Sequence, residues 1–299
     1  MIRIGYACIN TKLPSTNRTC RLKNATAERI LELASANVEA LRPILEWNAA
    51  RGIELFRISS DLIPFGSHPV NTVPWWRILE PQLARLGAFI RKKRLRVSMH
   101  PGQFTILNSA RPEVIESSIA ELEYHTLLLE SLGVDASHKI VIHLGGLYGD
   151  KRESLKRFVE NCRRLDRRIK ARLVIENDER CYTIADALFA AEAIGVPAVF
   201  DVFHHMWNPA LQQGSLRSII QLAANTWRKR DGRVKIHYSN QWPGKPAGTH
   251  SKSIRVRKFL EFYDTIRDLD LDIMLEVKDK QESVLKLLQS LRGRQLRAA

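Results

Sequence analysis

Short β-branched runs recur eight times along this chain, each followed by a longer amphipathic segment, and few folds accommodate that alternation. The runs are Ile2–Cys8, Ile53–Ile58, Leu95–His100, Lys139–His143, Arg172–Glu176, Ala198–Asp201, Val234–His237 and Leu271–Glu276. Between them, Ile30, Leu33, Ala34 and Leu41 repeat at helical spacing within a helix predicted over 25–50, ended by Gly52. Further helices are predicted over 75–91, from Pro112 to a stop at Gly133, and over 281–291. Asp150-Lys151-Arg152-Glu153 has capping-box spacing at the start of another, with Asp in the Ser/Thr position. Strict alternation predicts an α/β fold, a closed (β/α)8 TIM barrel. It is read as a single domain over residues 1–299, with a short basic tail from about Arg292. No G-x-G-x-x-G follows the first run, so neither a dinucleotide-binding sheet nor a nucleotide cofactor is expected.

In such a barrel the catalytic groups gather at the C-terminal ends of the strands. Here those ends carry His100, His143, Glu176, Asp201, His237 and Glu276. Side chains alternate faces along a strand, so parity tests the pattern. His143 shares a face with Val141, Glu176 with Val174, Asp201 with Val199 and Glu276 with Met274, all apolar residues suited to a barrel interior. His204 lies three residues beyond Asp201, His250 in the long loop after the seventh strand, and His68 in the loop after the second. Six of the nine histidines thus converge on one rim. A lone strand histidine is usually a structural group satisfied by a carbonyl. The coincidence across six strand ends reads instead as a metal site.

Imidazole and carboxylate without thiolate suit manganese, zinc or magnesium. Eight candidate ligands exceed what one tetrahedral ion uses, which implies two or three ions and suits phosphodiester hydrolysis. Lys235 shares a face with His237, where a protonated amine would be repelled by cations. It is therefore neutral, turned away, or modified into a carboxylate-like ligand. The four cysteines form no C-x-x-C pair and read as free thiols of a reducing compartment. The chain offers no run of 18 or more apolar residues and no leader-like start, so the expected location is cytoplasmic, on the nucleoid when DNA is bound. With 47 Lys and Arg against 32 Asp and Glu, the net charge of +15 favours a polyanionic partner.

At this point the residues resemble a family. His100-Pro101-Gly102-Gln103-Phe104, Ile142-His143-Leu144-Gly145-Gly146, Glu176-Asn177-Asp178 and Asp201-Val202-Phe203-His204-His205 are similar to signatures of the UV damage endonucleases. Gly5-Tyr6 with Asn10, and Lys235-Ile236-His237-Tyr238-Ser239, fit as well, so the resemblance spans nearly the whole chain. It implies incision of damaged double-stranded DNA immediately 5′ to cyclobutane pyrimidine dimers and 6-4 photoproducts, leaving a 3′-hydroxyl and a 5′-phosphate. No membrane and no obligate protein partner are implied. It further implies three divalent ions, manganese favoured with magnesium, cobalt or zinc as alternatives. Their ligands would be His100, His143, Glu176, Asp201, His204, His237, His250 and Glu276, with catalysis resting on Glu176, His237, Glu276 and Lys235, the last as a modified lysine. Tyr6, Asn10 and His68 match positions that contact the lesion or its phosphates. Gln103 and Phe104 match the pair that probes the duplex and fills the gap left by an extruded dinucleotide. Many relatives carry Tyr at position 104, so a hydrogen bond made there is lost here while stacking is kept.

Weaker readings attach to other residues. Trp75, Trp76, Trp207 and Trp242 could line a DNA groove or simply pack, and Asn177-Asp178-Glu179 could orient Glu176 or form a polar turn. Lys229-Arg230 could touch phosphates, whereas Arg163-Arg164 with Arg167-Arg168 reads better as a solvated helix face. The competing functions are an endonuclease IV-like abasic-site nuclease, a metal-dependent sugar isomerase and a non-catalytic DNA-binding protein.

Overall fold

The computed structural model describes residues 2–211 and 214–298, without the side chains of residues 295, 297 and 298. Eight parallel strands form its centre: β1 (Arg3–Cys8), β2 (Leu55–Ile58), β3 (Arg96–Ser98), β4 (Ile140–His143), β5 (Leu173–Glu176), β6 (Ala198–Asp201), β7 (Val234–Tyr238) and β8 (Leu271–Leu275). Their order is β3-β2-β1-β8-β7-β6-β5-β4. The two ends of that order meet through one parallel bridge between Met99 and Ile140. There Met99 N–H donates to Lys139 O at 2.9 Å and Val141 N–H to Met99 O at 3.0 Å. The sheet therefore closes into the (β/α)8 barrel that the alternation predicts.

Helices return the chain after every strand: α1 (Ala27–Ala50), α2 (Trp75–Ile78) with α3 (Glu80–Lys92), α4 (Pro112–Ser131), α5 (Lys151–Arg164) with α6 (Arg167–Arg172), α7 (Ile184–Ile194), α8 (Val202–Trp207) with α9 (Leu216–Ala224), α10 (Val256–Asp264) and α11 (Gln281–Ala298). Three differ from the sequence reading. The helix predicted over 75–91 is interrupted at Leu79, because Pro81 supplies no N–H and is tolerated only in the first turn of α3. The segment before β5 breaks between Arg164 and Arg167, where the Asp166 carboxylate accepts from Arg168 N–H and starts α6. The last helix runs through Gly293 into the predicted tail. One helical glycine costs only about 1 kcal/mol, and the Arg294 guanidinium holds Asp264 of α10 at 2.8 Å. Of that tail, the side chains of Gln295 and Arg297 lie outside the described residues.

Asp150 caps α5 as its spacing predicts, accepting from Arg152 and Glu153 N–H, but its own N–H donates to Leu147 O, so the box is not reciprocal. All four cysteines are free thiols. Among the described residues no helix is long and apolar enough to cross a membrane.

Parity divides the core in two. Outward strand residues such as Ile4, Phe56, Val97, Ile142, Ile175, Phe200, Ile236 and Ile273 join one large cluster with the helices. Inward residues form two small separate clusters, Val141, Val174 and Val199 in one, Ala7, Leu55 and Met274 in the other. Gly5 belongs to this tight interior: a Cβ there would sit 2.0 Å from the Leu55 carbonyl oxygen of the adjacent strand.

Below the apolar layer the barrel is closed by charge. Asp272, fully buried, accepts from Arg3 at 2.7 and 2.8 Å and from Arg96 at 2.7 Å. Arg96 also donates to the carbonyls of Ser137, Asp231 and Arg233, and Lys139 Nζ lies 2.6 Å from Asp231 Oδ1. Removing one partner of a buried ion network leaves its cations uncompensated. Asp272→Ala is therefore expected to lower the unfolding free energy by about 3–5 kcal/mol, measured by urea denaturation. A change below about 0.5 kcal/mol, the size of an ordinary surface effect, would show that the network does not hold the barrel floor.

Candidate metal centre at the barrel mouth

Above the apolar layer, three groups of donor atoms close enough to hold metal ions share one residue. They are His100–His143–Glu176, Glu176–Asp201–His204 and Glu176–His237–Glu276, with the donor atoms of each group within 4.8 Å of one another. Glu176 ends β5 and is fully buried, so its two oxygens are surrounded. Oε2 faces His100 Nε2 at 3.1 Å and His143 Nε2 at 3.6 Å, while Oε1 bonds to His237 Nδ1. His250 completes the ring of eight predicted ligands, its Nε2 3.9 Å from Glu276 Oε2 and its ring 5.8 Å from that of His204. All eight come together as the strand-end reading expects.

The chain sets the imidazoles in a ligating tautomer. His100 Nδ1 donates to Pro101 O at 3.0 Å, His204 Nδ1 to Asn177 O at 3.0 Å and His250 Nδ1 to the Glu276 carbonyl at 2.8 Å. Each backbone bond takes the ring's N–H, so in the neutral ring Nε2 carries a lone pair, and for His100 and His250 it faces a carboxylate. Two acceptors face to face are unfavourable unless a cation lies between them. Further atoms point the same way: Asp201 Oδ2 and His143 Nδ1 are buried and have no hydrogen-bond partner. Asp201 Oδ1, by contrast, is satisfied by His204 N–H at 2.8 Å. The donor set and its orphaned atoms fit divalent metal ions held by N and O ligands.

The three carboxylates dominate the electrostatics of the site. Burial pushes Asp201 up to about 7, with Glu176 and Glu276 adding to it against the pull of His204. Burial would lower His204, but Asp201, Glu176 and Glu276 lift it to about 9. Glu176 lies well below the usual carboxylate range, since His237 and His143 outweigh burial. Burial lowers His143 to about 4 and lowers His237 and His250 as well, which keeps these three rings neutral and able to ligate at pH 7. Three carboxylates within one buried site leave a concentration of negative charge that bound cations would relieve.

A cavity of about 530 Å³ opens over this cluster, lined by His100, His143, His204, His250 and Glu276 and by the Pro101-Gly102-Gln103 loop. Phe104 is 69% exposed beside that mouth, and its ring lies over Gly102, where a Cβ would meet it at 2.3 Å. The loop after His143 is similarly built around glycine. Gly145 has φ +100, and a Cβ there would sit 2.4 Å from Asn108 Oδ1. Asn108 Nδ2 meanwhile holds the Gly146 carbonyl at 2.7 Å.

Other expected site residues are placed differently. Tyr6 is fully buried on the outward face of β1, its hydroxyl donating to Asn48 Oδ1 at 2.8 Å and accepting from Asn10 Nδ2 at 3.1 Å. Asn10 is 2% exposed. Neither side chain lines the cavity: Tyr6 is even where Gly5 and Ala7 of β1 face inward, and Asn10 is held against the Tyr6 hydroxyl. His68 is exposed in its loop and does not line the cavity, its Nδ1 accepting from Val70 N–H at 3.1 Å. Lys235 is fully buried inside the barrel, which removes the turned-away alternative, and its Nζ has no hydrogen-bond partner. Burial, reinforced by Arg96 and Arg57, holds its pKa well below the ordinary lysine value.

Asn177 supports Asp201 and His204 rather than Glu176. Its amide exchanges bonds with Asp201 O at 3.0 Å and Asp201 N–H at 2.9 Å. Asp178 forms the polar turn, accepting from the N–H groups of Arg180, Cys181 and Tyr182. Trp75 is a packing residue 2% exposed against Trp76 and Tyr124, whereas Trp76 and Trp207 are 37% and 42% exposed. Lys229-Arg230 precede β7 and so lie at the barrel end opposite the site. Arg163, Arg164, Arg167 and Arg168 are all exposed, the solvated face expected, with Arg163 donating to Ala193 O and Arg168 paired with Glu123 and Glu130.

Arg57 is the site residue that the sequence reading missed. Its guanidinium is buried at the mouth, with Nη2 2.6 Å from Glu276 Oε1 and 3.0 Å from His237 Nε2. The signal was present in its parity with inward Leu55, but a search restricted to imidazoles and carboxylates passes over a cation.

The family model of UV-endonuclease UvdE matches residues 2–297. The UV DNA damage endonuclease of Clostridium perfringens is 42% identical over 293 residues, covering 97% of this chain and 71% of that protein. A putative UV-damage endonuclease of Acanthamoeba polyphaga mimivirus is 36% identical, covering 96% and 90%. The crystal structure of SacUVDE superposes with a TM-score of 0.93 at 41% identity over 99% of each chain. Endonuclease IV from Thermus thermophilus (TM-score 0.57, 16% identity, 99% of this chain and 100% of that one) and a Clostridium cellulolyticum D-psicose 3-epimerase (0.52, 17%, 79% of each) share the fold alone. The motifs at the strand ends, the match along almost the whole chain and the relatives above 40% identity agree, and the chain belongs to the UV-endonuclease UvdE family.

Proposed function

We propose that this protein is a metal-dependent DNA repair endonuclease acting on damaged duplex, incising immediately 5′ to cyclobutane pyrimidine dimers and 6-4 photoproducts to leave a 3′-hydroxyl and a 5′-phosphate. The observation that carries this reading is the sharing of Glu176 by three donor triads at the barrel mouth. The names of the family and its relatives supply the ultraviolet lesion, and the +15 charge suits a polyanionic duplex. The same charge and the exposed Gln103-Phe104 loop disfavour a small sugar as substrate.

His100, His143, Glu176, Asp201, His204, His237, His250 and Glu276 would hold the ions, three in number and manganese by preference. When bound, divalent ions here supply Lewis-acid activation of water and neutralise charge on the attacking and departing oxygens. The protein's part is to fix the donors. Glu176 spans the three triads, the backbone carbonyls of Pro101, Asn177 and Glu276 orient their histidines, and Asn177 locks β6 against β5. Lys235, buried and unpartnered, acts as a neutral amine or in a carboxylate-bearing form; a neutral amine is the form that reacts with carbon dioxide to give a carbamate. Phe104 enters the base stack of a distorted step while Gln103 offers its amide to the orphaned bases, and selectivity follows because a damaged step costs least to unstack. Tyr6 and Asn10 act on the lesion side by shaping the loop after β1, and His68 meets a backbone phosphate from outside the cavity.

Glu176→Gln is expected to slow nicking of irradiated supercoiled plasmid by about 10³-fold, the scale of losing a preorganised charged group, while irradiated duplex still shifts in a gel. Unchanged nicking would remove the proposed centre. Chelation should abolish nicking and added Mn²⁺ restore it, with metal analysis of the purified protein reading the stoichiometry; chelator-resistant incision would rule out metal dependence. Phe104→Ala should weaken binding to irradiated duplex by about 1–3 kcal/mol, the worth of one stacked base. Binding to unirradiated duplex should change little, and equal losses on both would deny Phe104 a role in lesion recognition.

A further inference from the structure

Arg57 holds Glu276 Oε1, a donor that a cation at the Glu176–His237–Glu276 corner would need, and crowds His237 Nδ1, the ring nitrogen that faces both carboxylates, at 3.5 Å. Its Nη2 lies 2.6 Å from Glu276 Oε1 and 3.0 Å from His237 Nε2. A guanidinium and a divalent ion compete for the same lone pairs, so a cation binds fully at this corner only as Arg57 lets go. Arg57 also lines the 530 Å³ cavity through which a phosphodiester would approach. Its Nε is buried without a hydrogen-bond partner, so the fork holds more donors than its surroundings satisfy. Planar, paired N–H donors of this kind match phosphate oxygens. The charged or ionisable groups around it are Glu276, Cys8, Glu176, His237 and Lys235, and Lys280 stands close by.

We propose that Arg57 is a positioning residue that couples substrate to cation. A phosphodiester at the mouth draws the guanidinium away from Glu276 and His237, and the freed donors complete the corner. Substrate and the most weakly held cation then bind with positive and reciprocal coupling. The corner fills when the scissile strand is in place, which restrains hydrolysis in the absence of substrate. This inference rests on the reading of the cluster as a metal centre.

The test is a Mn²⁺ titration of the full chain, followed by electron paramagnetic resonance of free Mn²⁺, with and without the dinucleotide TpT as phosphodiester probe. The neutral methylphosphonate analogue of TpT is the control. In the wild-type protein TpT should tighten the weakest site by about five- to tenfold, the range of ordinary coupling, and the methylphosphonate should not. Arg57→Gln should hold that site about tenfold more tightly from the start, respond to neither probe and nick irradiated plasmid far more slowly. Arg57→Lys, which keeps a charge but loses the fork, should fall between the two. Weakest-site affinity that is indifferent to TpT in the wild-type protein overturns the proposal, and that measurement needs no variant to fold. Failure of any Mn²⁺ to bind would instead overturn the metal centre itself.

Discussion

A closed barrel of eight short strands has an interior only a few side chains deep, and every second residue of every strand must enter it. Outward residues can be uniformly apolar because helices cover them. The inward ones have no such freedom, since a polar group placed there must find its partner within the same narrow column. This protein resolves the constraint in three layers. The floor is ionic, with Asp272 between Arg3 and Arg96 and with Lys139 on Asp231. The middle is apolar, made of Val141, Val174, Val199, Ala7, Leu55 and Met274. The mouth is again polar, and there the charges do not balance among themselves.

That imbalance is the source of function. Glu176, Asp201 and Glu276 converge with Arg57 as the guanidinium among them, and backbone carbonyls take the Nδ1–H of His100 and His250, whose Nε2 atoms turn to carboxylates. The surrounding fold tolerates buried, unpartnered atoms at Asp201 and His143. Such atoms cost stability unless something binds them. At the floor, by contrast, Arg3, Arg96 and Asp272, and Lys139 and Asp231, find their partners within the barrel.

The loops around the mouth divide the remaining work. The segment after β3 places Gln103 and Phe104 in the open over a glycine, where a larger residue would displace the ring. The segment after β4 needs Gly145 for its positive φ and close approach to Asn108. The donor cluster thus sits mostly on strand ends, and the exposed Gln103-Phe104 segment on a loop beside it.

Much of this was legible from residues alone. Short β-branched runs located all eight strands, and the parity of His143, Glu176, Asp201 and Glu276 with Val141, Val174, Val199 and Met274 anticipated which face would turn inward. Local chemistry also sufficed for the caps at Asp150 and for the free thiols. Element ends were less legible: Pro81 split one helix and the last helix ran past Leu291 through Gly293, because each depends on whether the neighbouring turns are held by packing. The placement of Tyr6 and Arg57 was decided by the tertiary structure. Tyr6 faces the helices and Arg57 the mouth, and the partners they meet, Asn48 and Glu276, lie tens to hundreds of positions away. Spacing along a chain reports which side of a strand a residue takes. Only closure of the barrel decides what it meets there.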